Sequence, residues 1–108
     1  MTRNIIQQYV DLLVERFQPQ TVLLFCSQAT GTAAADSDVD LLVVMDHDKK
    51  RDIEQEIEID RALPRHFPLD ILVRRPADVQ HRLASKDMTL LTIFNTGETL
   101  YERPRHHA

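Results

Sequence analysis

Apolar side chains recur every fourth residue near the start of the chain, at Ile5, Tyr9, Leu13 and Phe17, with Ile6 and Val10 beside them. That period gathers them on one broad helical face. It predicts a helix from Thr2, a suitable N-cap, to just before Pro19. Thr21 to Cys26 (TVLLFC) is a short β-rich apolar run and predicts a strand. Ser27 to Ser37 (SQATGTAAADS) is small and polar, which predicts a loop or a brief helical turn. Asp38 to Met45 (DVDLLVVM) predicts a second strand, apolar on both faces beyond its acidic start and therefore covered on both.

Lys49 to Leu63 is charged, with Ile53, Ile57 and Leu63 on one side, and predicts an amphipathic helix ended by Pro64. Its Asp and Glu residues are expected to form a solvated face. Leu69 to Val73 (LDILV) predicts a third strand. Beyond Pro76, Val79, Leu83, Leu90, Leu91 and Phe94 predict one or two helices, with Gly97 as their C-terminal stop. Thr99 to Glu102 predicts a short edge strand. The pattern describes an α/β fold: a small mixed β-sheet with helices packed against it. No repeat or linker divides the 108 residues, so we expect one domain over 1–103 and a flexible tail over 104–108.

Composition narrows the function classes without choosing one. Thirteen Lys and Arg against seventeen Asp and Glu give a net charge of −4, which argues against a broad basic face for nucleic acid. It leaves room for an acidic site that depends on cations. No apolar run approaches the roughly 18 residues of a membrane span, and no signal peptide is recognisable. Cys26 is the only cysteine, so an intrachain disulfide is excluded and a cytoplasmic location is expected. The five histidines lack metal-ligand spacing, and His106 and His107 belong to the tail.

The candidate chemistry lies in acids placed at strands. In Asp38-Val39-Asp40 the two-residue strand period turns both carboxylates to one face, with Cα atoms roughly 6.6 Å apart. Asp70 lies within an otherwise apolar strand, where an unpaired carboxylate is costly. A shared divalent cation would relieve the repulsion among the three, and magnesium suits carboxylate, phosphate and water oxygens. Taken singly, Asp38 is explained as turn chemistry and Asp70 as a satisfied structural acid. All three together, with Ser27 closing the preceding strand, favour the metal site.

The segment Leu23 to Val44, LLFCSQATGTAAADSDVDLLVV, resembles the signature of the DNA polymerase β-type nucleotidyltransferase superfamily. That signature is an apolar strand ending in Gly-Ser, a spacer of about ten residues, then Asp-x-Asp opening the next strand. A third Asp follows on a later strand, supplied here by Asp70 in PLDILV. The chain length and the ending TIFNTGETLYER resemble the minimal nucleotidyltransferases (MNT), antitoxins found beside HEPN-domain toxins.

This resemblance implies a polymerase β-like fold and a magnesium-dependent enzyme, a protein adenylyltransferase. Asp38, Asp40 and Asp70 are its implied catalytic and metal-binding residues, holding two Mg2+ ions, with Mn2+ as an alternative. Cys26, Ser27, Gln28 and Gly31 are the implied nucleotide-binding positions, with ATP as substrate. The implied partner is a HEPN toxin in a hetero-oligomer, whose tyrosine hydroxyl receives AMP. No membrane or direct nucleic-acid partner is expected. The alternative is a degenerate nucleotidyltransferase that neutralises the HEPN partner by contact alone. Transfer to a small molecule such as an aminoglycoside is a weaker reading, since family members doing so usually carry an added domain.

The sequence also departs from the pattern. Cys26 stands where the family has Gly, and Gln28 and Thr30 replace the arginines of the common Ser-Arg-x-Arg-Gly version. As a nucleophile Cys26 has no base placed to activate it, so a small strand-end residue is the better description. Arg74 and Arg75, after the Asp70 strand, are expected either to meet phosphate or an acidic partner, or to be a solvated strand end.

Overall fold

Among the described residues, the chain forms four strands and four helices. The computed structural model describes residues 3–25, 40–63 and 69–103. Along the chain lie α1 (Arg3–Phe17), β1 (Thr21–Phe25), β2 (Asp40–Val44), α2 (Asp52–Ala62), β3 (Asp70–Arg74), α3 (Pro76–Ala84), α4 (Met88–Thr96) and β4 (Glu98–Glu102). The expected N-cap Thr2, the loop Ser27–Ser37 and the tail 104–108 lie outside the described residues.

The strands form one sheet in the order β3-β2-β1-β4. β1 pairs antiparallel with β2 and β4, and β2 pairs parallel with β3, so the sheet is mixed as expected. β4 occupies an edge, and the register slips between Val22 and Leu23 where it meets β1. The central strand β2 is buried along its whole length, which is why it reads as a continuous apolar run.

Period-two alternation sends its side chains into two cores. Leu41 and Val43 join Val22, Val73, the α1 residues Ile6, Tyr9, Val10 and Leu13, and Ile59 of α2. Leu42 and Val44 join Leu23 on the other face, beneath Val79 of α3 and Leu90 and Ile93 of α4. Both sheet faces are thus covered by helices, as the sequence of β2 requires.

α2 buries a different stripe from the one its isoleucines suggest. Ile53 and Ile57 are 50% and 48% exposed, while Gln55 and Ile59 are buried, with Leu63 just beyond the helix. The cause is the edge of β3. There the Glu56 carboxylate accepts a hydrogen bond from the Val73 N–H at 3.0 Å. The Val73 carbonyl accepts one from Arg74 Nη1 at 2.7 Å. Side chains thereby close the edge at Val73.

Glu56 is therefore no solvated acid. Burial raises its pKa above 4.5, against the opposing effects of the Val73 N–H and Arg74, and Asp52 nearby adds to the rise. A carboxyl with a raised native pKa takes up its proton in the folded state first, so its contribution to stability improves as pH falls from neutral toward 4.5. Glu56→Gln keeps an oxygen for Val73 and should be neutral or stabilising near pH 7. Urea midpoints at pH 7 and pH 5 check this. The wild-type deficit relative to the variant should shrink at the lower pH, and a constant difference refutes the assignment.

Candidate active site at the Asp40 and Asp70 strand starts

Parallel pairing of β2 and β3 sets Asp40 directly beside Asp70. Register partners on neighbouring strands sit about 4.8 Å apart, and in-register residues of parallel strands share a sheet face. The alternation that sends Leu42 and Leu72 beneath α3 and α4 puts both carboxylates on that same side. Phe25, the last residue of β1, pairs with Asp40, so β1 ends beside these acids. One end of the sheet thus assembles the strand termini on which the motif depends.

The two acids differ in environment. Asp40 is 4% exposed, whereas Asp70 is exposed at the start of β3. The expectation that Asp70 bears the burial cost is corrected: it opens the strand in contact with solvent, and Asp40 is the buried member. A fixed acid beside an accessible one offers oxygen ligands of the kind a hard cation takes together with phosphate and water. Among the described residues no group of three or more His, Cys, Asp or Glu converges on one point. Asp38, with Cys26, Ser27, Gln28 and Gly31, lies outside the described residues.

Arg74 and Arg75 are not near these acids. They leave the opposite end of β3, a strand length of about 13 Å away. There they join a cluster that sequence reasoning missed. The His47 ring, whose side chain is 1% exposed, meets Asp52 Oδ1 through Nε2 at 2.7 Å. His47 Nδ1 accepts from the Lys49 N–H at 3.2 Å, so Nε2 carries the proton donated to Asp52.

Arg75 donates to the carbonyls of His47 and Lys49 and lies 3.8 Å from Asp52. Arg74 lies 3.8 Å from Asp52 and 3.7 Å from Glu56. The cluster ties the turn after β2 to the start of α2 and to Arg75, the N-cap of α3. The arginines are therefore not a solvated strand end, and they are not placed to meet phosphate at the carboxylate end. The acids of α2, expected to be solvated, include their two partners. Only the alternation of signs between DIEQEIEID and VRR hinted at this, without saying which residues meet.

With the geometry in hand, comparison with known proteins gives the class. The sequence matches the Polymerase beta, Nucleotidyltransferase family over residues 7–106, and the chain belongs to that family. A solved structure described as a candidate nucleotidyltransferase from Sulfolobus solfataricus has a similar fold. Its TM-score is 0.52 at 20% identity, over 72% of this chain and 70% of that one. No curated protein matches the sequence. The implied nucleotidyltransferase fold is therefore observed. Among the described residues, no helix is long and apolar enough to cross a membrane.

Proposed function

We propose that this domain is an MNT-type antitoxin that transfers AMP from ATP to a tyrosine hydroxyl of a cognate HEPN toxin in the cytoplasm. The observation that carries the reading is the adjacency of Asp40 and Asp70 at one end of a nucleotidyltransferase sheet. Asp38, two residues before Asp40, would complete the acidic set. Magnesium held by these carboxylates would supply charge stabilisation at the phosphate oxygens.

The residues divide the remaining work. Asp40, fixed by burial, keeps its carboxylate oriented. Asp70, at the solvent-facing strand start, is the acid an incoming hydroxyl meets. Ser27 and the N–H groups of its turn would hold the β- and γ-phosphates. The tyrosine oxygen bonds to the α-phosphorus as the bond to the β-phosphate bridging oxygen breaks. Pyrophosphate leaves, and the hydroxyl proton passes to water.

Intact-mass spectrometry of the HEPN partner after incubation with this protein, ATP and magnesium tests the proposal. The partner should gain mass in steps of one AMP and lose toxicity. If it gains no mass while Asp40→Asn and Asp70→Asn proteins still neutralise it, the contact-only antitoxin replaces the enzyme. The substitutions at Cys26, Gln28 and Thr30 favour that second reading, because they alter the phosphate turn and leave the carboxylates untouched.

A further inference from the structure

α2 and β3 enclose a groove of about 200 Å³ that opens beside Asp70. Ile53 and Ile57 form one wall, Leu69 and Ile71 the other, and Asp60 and Asp70 contribute acidic groups. It is smaller than the roughly 300–1,000 Å³ of small-molecule pockets, but it accommodates a side chain. The two isoleucines are one helical turn apart and each about half exposed, so they form a continuous apolar strip.

The main chain along this groove adds a second feature. The Val73 N–H points to the outer edge of β3, as its bond to Glu56 shows, and the Arg74 carbonyl points inward to the Met45 N–H. Alternation then turns the N–H and carbonyl of Ile71 to the same outer edge. Among the described residues, the Glu56 and Arg74 side chains close that edge at Val73. At Ile71 the edge is therefore available for β-pairing, alongside the apolar strip and next to Asp70.

Charge identifies the occupant. The groove's own lining includes Glu56, Asp60 and Asp70 and no basic side chain. A segment entering here is favoured if it is basic. We propose that the α2–β3 groove docks an extended, basic segment of the acceptor protein. An apolar residue packs on Ile53 and Ile57, the backbone pairs with Ile71, and Lys or Arg side chains face Asp70 and the acidic lining of the groove. The segment is thereby directed past Asp70, which places a hydroxyl a few residues along it at the carboxylate end of the sheet. The inference rests on the proposed transfer for the identity of the acceptor and on the groove itself for the mode of docking.

The test uses the full chain with its HEPN partner. Ile53→Glu/Ile57→Glu, at exposed positions, should raise the KM for the partner about tenfold or more and weaken its calorimetric Kd equally. The Kd for ATP should stay unchanged. Leu12→Glu, on α1 at a comparable 40% exposure, should leave both partner constants within about twofold. A wild-type KM and Kd in the groove variant overturn the proposal. If the wild type binds the partner without adding AMP, the transfer reading fails alone, and a tenfold weaker Kd in the groove variant still supports the groove. If the wild type neither binds nor modifies the partner, both readings fall.

Discussion

Asp40→Asn and Asp70→Asn should each remove the rise in melting temperature that magnesium or manganese gives the wild type, and should lower AMP transfer by about a thousandfold or more. The pairing of β2 with β3 is the reason for expecting the same loss from two residues 30 positions apart. Each substitution preserves side-chain shape and replaces an anionic oxygen pair with a neutral amide, so a shared cation loses the charge that holds it. The two variants should differ without metal. Asp70 is exposed, and its replacement should change stability by no more than about 0.5 kcal/mol. Asp40 lies within the sheet, so Asp40→Asn also tests whether its charge is a burden to the metal-free fold. Thermal melts with and without magnesium, with transfer assays on the same samples, decide the matter. A metal-induced shift that persists in both variants refutes the placement of the site.

Asp40 and Asp70 were legible as strand-borne acids because strand periodicity is a local rule. Once Asp40 and Asp70 are each placed at the start of a strand, parallel pairing brings them together. Their unequal burial was not legible: it depends on β2 being central and β3 being the edge, which neither strand encodes alone. α2 shows the same limit. At about 100° per residue, Ile57 lies about 160° from Ile59, so the helix offers two apolar stripes. The sheet selects the one holding Gln55, Ile59 and the following Leu63, through contacts with β3. The His47 cluster was beyond sequence reasoning for a related reason. Arg75 meets His47 across 28 residues and Glu56 meets Val73 across 17, and charge patterning alone does not pair residues so distant.

Gly97→Ala should destabilise the fold by about 2 kcal/mol or more and lower its melting temperature by about 10 °C. Gly97 was expected as a helix stop, and it does cap α4, but not through a left-handed turn: its φ is −74°, open to any residue. What demands glycine is space. A Cβ at this position would lie 2.4 Å from the Ile93 carbonyl oxygen and 3.0 Å from that of Leu24. Both are backbone atoms, and neither can rotate away. The Ile93 oxygen also accepts the Gly97 N–H at 2.7 Å, so relief of the clash stretches the last bond of α4. Relief on the other side pushes on Leu24, whose strand neighbour is Leu41 and which precedes Phe25, the partner of Asp40. The strain therefore reaches the carboxylate end of the sheet through backbone contacts alone. Thr96→Ala is the matching control: it loses one exposed hydroxyl bond to Thr92 O and should shift stability by about 0.5 kcal/mol at most. Urea and thermal unfolding of the two variants separate a spatial requirement at Gly97 from a general sensitivity of the α4–β4 junction. Equal melting temperatures for Gly97→Ala and the wild type would show that the close approach of α4 to β1 yields without cost.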